Sequence, residues 1–154
     1  MSDMPTVGIG FYYDDLEVGQ KFKTLGRTIA VPDITAFVGC TGSVEVLFTD
    51  MQYLRNETNF EGRLVPGALV YCMAEGLLMQ STMQKTGLAF LGMELNIEAP
   101  CFAGDTIHVE VEVTEIKKTS KGNRALVRTR NTIKNQKGET LIVYTPLRMM
   151  KGRD

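Results

Sequence analysis

The chain is poor in several residue types on which enzyme and metal chemistry often depends. Its 154 residues include one histidine and no tryptophan, and its only cysteines are Cys40, Cys72 and Cys101. Because these cysteines lie far apart and form no CxxC pair, the sequence carries no zinc or redox motif. We expect no metal and no cofactor, and three reduced, mostly buried thiols. Any mechanism that needs a histidine must use His108.

Charge and hydropathy exclude further classes of protein. Lysine and arginine number 17 and aspartate and glutamate number 18, which gives a formal net charge of -1. No global basic field therefore favours nucleic acid or a membrane surface as a partner. The first residues, MSDMPTVGIGFYYDD, lack a basic region and a long apolar run, so we expect no secretory signal and a cytoplasmic protein. Without repeats or linkers, residues 1–154 suit one domain.

The first half of the chain has the pattern of short helices joined by loops. The stretch VPDITAFVGCTG predicts a helix that Asp33 caps and that Gly39 and Gly42 end. Its predicted buried face consists of Ile34, Phe37 and Val38.

A second short helix is predicted for TDMQYLRNE. Thr49 and Gln52 have the spacing of a capping box, and Asp50 places a negative charge at the positive end of the helix dipole. These two helices flank a glycine-containing loop, which is a common setting for functional residues.

The segment that follows Pro66 predicts a central helix. Its sequence, GALVYCMAEGLLMQSTMQK, is apolar almost all round the first three turns and is interrupted by Glu75. Such a helix is normally enclosed by other elements rather than laid on a surface. It is too short, and too polar after Met79, to span a bilayer.

The second half of the chain has the pattern of β-strands. In DTIHVEVEVTEI, the residues Ile107 and Val109 alternate with His108, which should therefore point away from the core. Strands are also predicted for QKFKTLGRTIAV, LAFLGMELNIEAP, RALVRTRNTI and ETLIVYTPLRMM, the last two joined by the turn NQKG. About five antiparallel strands curled round one long helix form an α+β hot-dog fold, which needs no crossover helices.

Five segments, in this order, resemble one family. They are DDLEVGQKF, PDITAFVGCTG, FTDMQYL, GRLVPGALV and APCFAGDTIHVEVEV, and the likeness runs from about Tyr12 to Arg148. The chain resembles the MaoC-like dehydratases, or (R)-specific enoyl-CoA hydratases. The resemblance implies a hot-dog fold, a homodimer or higher homo-oligomer, and a ligand that is an acyl thioester of coenzyme A or of acyl carrier protein.

The resemblance also implies which residues occupy the catalytic positions. The loop of the family reads S-G-D-x-N-P-x-H-x-D, and its Asp and His activate the water that adds to the double bond beside the thioester. In TGSVEVLFTD the Asp position holds Ser43, the Asn position holds Glu45 and the His position holds Phe48. Asp50 matches the last position of the motif. The catalytic pair is therefore absent from this chain.

The oxyanion donor of the family is a backbone N–H at the start of the central helix, where the dipole favours negative charge. The resemblance assigns that donor to Gly67, which follows Pro66 where many members of the family have His. Hydration needs a group that takes a proton from water and returns one to the α-carbon. We take Glu45, Gly67 and Asp50 as the candidate catalytic residues. For Glu45, the alternative that it is only a solvated loop residue is equally consistent with the sequence. For Asp50, interaction with the helix dipole is favoured over a role as a base.

Other side chains fit a packing role better than a catalytic one. Cys40 has no histidine nearby in the sequence to activate it, and Tyr53 and Tyr71 suit the core or the rim of a pocket. The strand KKTSKGNRALVRTR concentrates lysine and arginine, which are expected to face glutamates on the adjacent strand. Binding of an oligonucleotide or of coenzyme A phosphates by this strand is a weaker alternative.

Three functions remain open from the sequence. The chain is either a hydratase or dehydratase with altered catalytic groups, a thioesterase that uses one carboxylate and an oxyanion donor, or a non-catalytic subunit that pairs with a second, intact MaoC-like chain. We expect neither nucleic acid nor a membrane as its partner.

Overall fold

The structure, a computed structural model, describes residues 4–154. Residues 1–3, which belong to the stretch in which no secretory signal is expected, lie outside this range. A short 3₁₀ helix, Tyr13–Asp15, precedes the other elements. The helices are Val31–Thr41 (α1), Val46–Thr49 (α2), Met51–Glu57 (α3) and Gly67–Thr82 (α4). The strands are Lys21–Lys23 (β1), Arg27–Thr28 (β2), Gly87–Gly92 (β3), Leu95–Ile97 (β4), Thr106–Lys118 (β5), Arg124–Lys134 (β6), Thr140–Tyr144 (β7) and Leu147–Lys151 (β8).

The eight strands form five antiparallel rows. The long strands β5 and β6 pair with each other, β1 and β2 both pair with β5, and β7 and β8 both pair with β6. The margin beyond β7 and β8 is formed by β4 and β3. Each outer row is thus one predicted strand divided into two segments. Pro146 lies between β7 and β8, where a residue without an N–H cannot continue the ladder.

Strand β5 has the predicted alternation. Ile107, Val109, Val111 and Val113 are all buried, whereas His108 lies on the outward face, 3.5 Å from Glu110. The turn that begins at Asn135 also follows the prediction, since the Asn135 side chain accepts the N–H of Lys137 and of Glu139. The outward face of the sheet is therefore charged and its inner face apolar.

Helix α4 packs against that inner face, as the hot-dog arrangement requires. Its buried residues include Leu69, Val70, Met73 and Leu78, which contact the inward side chains of β5, β6 and β7 in one cluster. The helix is not enclosed all round, because Cys72 and Met79 are exposed on its opposite side. Among the described helices, none is long and apolar enough to span a membrane.

Both short helices exist, but two of their predicted caps are wrong. Asp33 is the third residue of α1 rather than its cap; its carboxylate accepts the N–H of Ala30 at 2.8 Å, which satisfies the same end of the helix from within. Gly39 lies inside α1, and only Gly42, with φ +70°, ends it. Glycine adopts this left-handed backbone conformation at little cost in free energy, because it has no Cβ atom.

The predicted capping box of the second helix is also wrong, because the segment forms two helices with Asp50 between them. The Asp50 carboxylate accepts the N–H of Gln52 at 2.9 Å and that of Tyr53 at 3.0 Å, so it caps α3. Thr49 instead donates to the carbonyl of Glu45 at the start of α2. Asp50 rather than Thr49 caps the helix, because the Asp50 carboxylate accepts two backbone N–H groups that otherwise have no partner in the helix.

The expectation that the cysteines are mostly buried is wrong for two of the three. Cys101 is buried, whereas Cys40 on α1 and Cys72 on α4 are exposed, and all three are free thiols. Each exposed cysteine lies on the solvent side of a helix whose other side packs against the core, and the spacing of apolar residues alone did not separate the two sides.

Candidate functional site

The first turn of α4 presents unpaired backbone donors. Pro66 is the N-cap, and its carbonyl accepts the N–H of Leu69 and of Val70. The N–H groups of Gly67 and Ala68 have no acceptor within residues 4–154. Such donors at the positive end of a helix dipole bind anions and developing oxyanions.

Gly67 lies in close contact with a side chain of the sheet. A Cβ atom built on Gly67 would lie 2.5 Å from Cδ1 of Ile97, a residue of strand β4. The edge strand is therefore in direct contact with the start of the helix. Any larger residue at this position would require the end of the exposed Ile97 side chain to shift.

Two cavities meet at Gly67. The sheet-side cavity has a volume of about 360 Å³ and the loop-side cavity about 580 Å³, both within the range of roughly 300–1,000 Å³ that small-molecule sites occupy. The sheet-side cavity is lined mainly by apolar residues, including Phe60, Leu64, Val65, Val70, Ile97 and Ile142. The loop-side cavity is lined by Phe37, Gly42, Ser43, Val44, Glu45, Phe48, Pro66, Gly67 and Ala68.

The loop between α1 and α2 brings the motif positions to this place. Gly42 reverses the chain, and the hydroxyls of Thr41 and Ser43 hydrogen-bond to each other at 2.8 Å. Ser43, Glu45 and Phe48 all line the loop-side cavity together with Gly67. The structure therefore places around one donor the three positions at which the sequence motif aligns the functional residues of the family.

Phe48 is held from both sides of its backbone. Its N–H donates to the carbonyl of Glu45 at 2.9 Å, and its carbonyl accepts Nη2 of Arg63 at 3.4 Å. The ring packs against the main core cluster and lines both cavities. Nε of Arg63 is buried and has no acceptor in the described part of the chain.

Glu45 and Asp50 have different surroundings. Glu45 is the N-cap residue of α2 and is exposed, and among the described residues its carboxylate has no hydrogen-bond partner. Asp50 is committed to the cap of α3 and does not belong to the described lining of either cavity.

His108 and Tyr71 do not belong to the described lining of either cavity. His108 is on the outer face of the sheet beside Glu110, whose pKa is held below its usual range first by the hydrogen bond from Lys134. Tyr71 packs edge-on against Tyr144, with ring centroids 5.3 Å apart, and burial raises its pKa. These environments fit packing and surface roles.

The sheet-side cavity contains two residues that sequence reasoning missed. Glu98 follows β4 and Cys101 lies next to the bridge between Leu64 and Phe102. Burial, and then the Asp105 carboxylate, raise the pKa of Cys101 to about 12. Its thiol is therefore neutral and is no nucleophile at physiological pH. No pattern marked Glu98, because its strand is short and largely exposed.

The basic strand does not contribute to the two cavities, since none of residues 117–130 belongs to the described lining of either. Arg128 pairs with Glu115 at 3.7 Å, as expected of cations opposite glutamates. The described ion pair of this strand is therefore one with the adjacent strand β5.

The arrangement binds a carbonyl oxygen more readily than it moves protons. The helix N–H groups stabilise negative charge, the sheet-side cavity has a mainly apolar lining, and neither Ser43 nor Phe48 can act as a base. Within the described lining, the only carboxylates are Glu45 in the loop-side cavity and Glu98 in the sheet-side cavity. No group of three metal-ligating side chains occurs in residues 4–154.

Comparisons with known proteins found one family model and several similar proteins. A family model described as FAS1-like, dehydratase domain region matches residues 17–143. An (R)-specific enoyl-CoA hydratase of Aeromonas caviae is 34% identical over 102 residues, 66% of this chain and 74% of the relative. The solved MaoC-like dehydratase of Rhodospirillum rubrum is 26% identical with a TM-score of 0.83, over 94% of this chain and 99% of that one.

A fourth comparison concerns the fold alone. A conserved hypothetical protein of Mycobacterium tuberculosis, described as having a double hot-dog fold, is 24% identical with a TM-score of 0.85. The match covers 97% of this chain and 46% of that one. The fold of this chain therefore also occurs as one half of a larger chain.

Proposed function

The chain belongs to the MaoC-like dehydratase family, and from that premise we propose that it binds an acyl thioester with the thioester oxygen on the N–H of Gly67. The observation that carries the proposal is the pair of N–H groups, of Gly67 and Ala68, that have no acceptor among the described residues and lie where the two cavities meet. A thioester oxygen is a hydrogen-bond acceptor that gains negative charge during addition or hydrolysis. Donors fixed in place before the reaction stabilise that charge without reorganising.

The family reaction, if this chain performs it, depends on Glu45. The oxygen of a water bonds to the β-carbon of an enoyl thioester while the carboxylate of Glu45 takes the proton that the water loses. The carboxylic acid then returns a proton to the α-carbon, so that the product is a 3-hydroxyacyl thioester. This assignment makes one carboxylate do the work that the Asp and His do in the family, because Ser43 and Phe48 cannot.

The experiment compares wild type with Glu45→Gln on enoyl-CoA and acyl-CoA substrates. Loss of an acid–base group lowers turnover by about 10²- to 10⁴-fold, and we expect that loss in the variant. Glu57→Gln, which removes an exposed carboxylate of α3 outside both cavities, is the matched control. Equal turnover of the two variants would remove Glu45 from the mechanism.

The same assay separates hydration from hydrolysis. Hydration consumes the conjugated double bond and releases no thiol, whereas hydrolysis releases free coenzyme A. Hydrolysis needs only one carboxylate to activate water and one oxyanion donor, both of which lie in the loop-side cavity. Release of thiol with Glu45 dependence would favour a thioesterase over a hydratase.

A second candidate is a non-catalytic subunit of a mixed hydratase. It is favoured by Ser43 and Phe48, which face the cavity yet carry no base, and by the occurrence of this fold as half of a larger chain. Binding of acyl-CoA without turnover, together with co-purification with a MaoC-like chain that retains Asp and His, would support it. A stable homo-oligomer with turnover of its own would exclude it.

A further inference from the structure

Phe48 and Gly67 are the only described residues that line both the sheet-side and the loop-side cavity. Its ring is therefore part of the wall between the sheet-side cavity and the loop-side cavity, beside the candidate oxyanion donor. We propose that Phe48 is a specificity-determining residue, whose ring limits the length of the acyl group that the chain accepts. The inference rests on the proposed function, since it assumes that an acyl thioester is the ligand.

The chemistry of the two cavities assigns the two ends of the ligand. The sheet-side cavity is walled by aliphatic side chains such as Leu64, Val70 and Ile142, which favour an acyl chain over water. The loop-side cavity offers Ser43 and Glu45, and the amides of a pantetheine arm keep hydrogen-bond partners there. With the thioester at Gly67, the acyl group occupies the sheet-side cavity and the pantetheine arm of the carrier occupies the loop-side cavity.

Phe48 cannot move aside cheaply to admit a longer chain. Its backbone is tied to Glu45 on one side and to Arg63 on the other, and its ring packs against the core. The paired backbone groups fix the point from which the side chain starts, and the packing against the core restricts the movement of the ring. The sheet-side volume of about 360 Å³ is at the low end for small-molecule sites, so the position of this wall decides the usable length.

The test is a titration of wild type and variants with butanoyl-, octanoyl- and dodecanoyl-CoA, read by calorimetry. Phe48→Ala joins the cavities, and we expect the affinity for dodecanoyl-CoA to rise at least about tenfold relative to butanoyl-CoA, since each buried methylene contributes about 0.8 kcal/mol. Phe48→Trp fills more of the space, and we expect the opposite shift, toward butanoyl-CoA. A loss of folding cannot produce opposite shifts in two variants.

Controls separate this inference from the proposed function. Phe22→Ala makes the same change at a half-buried aromatic residue outside both cavities and should keep the wild-type order of affinities. Free coenzyme A, which lacks the acyl group, is titrated into each variant as well, because Phe48 also lines the carrier side and the effect on chain length is the change beyond that on coenzyme A itself. If Phe48→Ala does not fold, Phe48→Leu replaces it, with a smaller shift in the same direction.

Two different failures are distinguishable. If wild type binds acyl-CoA but its chain-length order is unchanged in Phe48→Ala, Phe48→Leu and Phe48→Trp, the role of Phe48 is overturned and the proposed function stands. If wild type binds none of the three thioesters, the proposed function fails and this inference fails with it.

Discussion

Glu75 is the charged residue that interrupts the apolar run of α4, and its carboxylate is buried in an ion pair. Both of its oxygens accept Nη2 of Arg148 at 2.6 Å, and one also accepts the hydroxyl of Tyr144 at 2.6 Å. Burial, followed by the Glu75 carboxylate, raises the pKa of Tyr144, which stays a neutral donor. The Arg148 guanidinium also lies over the ring of Phe90, 5.0 Å from its centre. One network thus links the central helix to the edge strand β3.

The first prediction concerns this buried pair. Arg148→Met leaves the Glu75 carboxylate buried without its cation, and we expect a loss of about 3–5 kcal/mol in the free energy of unfolding. Combining it with Glu75→Leu removes both charges, and the double variant should recover most of that loss. Urea unfolding of both single variants and the double variant measures the coupling; a double variant no more stable than Arg148→Met would contradict the account.

The second prediction concerns Cys101. Because its pKa is raised to about 12 from an ordinary 9.0, the folded state keeps the thiol protonated where the unfolded chain ionises it. The stability contributed by this group is complete below pH 9 and is lost as the pH rises from about 9 toward 12. In a Cys72→Ser background at neutral pH, one thiol, Cys40, should react promptly with a thiol reagent, and Cys101 only after unfolding. Prompt reaction of two thiols would contradict the burial of Cys101.

Part of the candidate site could be predicted from the sequence, and the residues that were missed have identifiable physical reasons. Ser43, Glu45 and Phe48 lie in one loop and Gly67 begins a helix, so a motif with fixed spacing locates them. Glu98 follows the short edge strand β4, where no periodicity marks it. Arg148 is 73 positions beyond Glu75 in the sequence. Their contact could not be predicted from local patterns, because only the three-dimensional fold brings the two side chains together.

Secondary-structure elements with a long, regular pattern were predicted well, and short elements were not. The alternation of β5 and the apolar length of α4 each depend on many residues that agree. A cap depends on one side chain, and Thr49 and Asp50 both have side chains that cap helices well. Geometry decided between them, since Asp50 alone reaches two N–H groups of α3.

The third prediction tests that cap and the place of Asp50 in catalysis together. Asp50→Ala should lower the free energy of unfolding by about 1 kcal/mol, whereas Asp50→Asn keeps an accepting oxygen and most of the stability. Asp50→Asn should also leave acyl-CoA binding and any turnover unchanged, because its side chain is engaged by the helix. Turnover that falls in a fully folded Asp50→Asn variant would instead assign Asp50 a chemical role.

The two margins of the whole sheet differ in character. One margin, at β1 and β2, carries the charged side chains Lys21, Lys23 and Arg27, which discourage pairing with another sheet. The other margin, at β3 and β4, exposes Leu88, Phe90, Leu91, Met93 and Ile97. Large exposed apolar patches mark interaction surfaces. We propose that the margin of β3 and β4 is where a second copy, or a related hot-dog chain, joins the sheet.

The fourth prediction rests on the proposal that copies of the chain join at this margin, in which case charge placed there should separate them. Leu88→Lys combined with Leu91→Lys places two cations on β3, and we expect the mass in solution to fall to that of one chain. Leu25→Lys, the same type of change at an exposed residue of the opposite margin, is the control and should keep the wild-type mass. Because Ile97 of this margin also contacts Gly67, separation should weaken acyl-CoA binding as well. Light scattering coupled to gel filtration measures the mass, and a double variant with the wild-type mass would place the interface elsewhere.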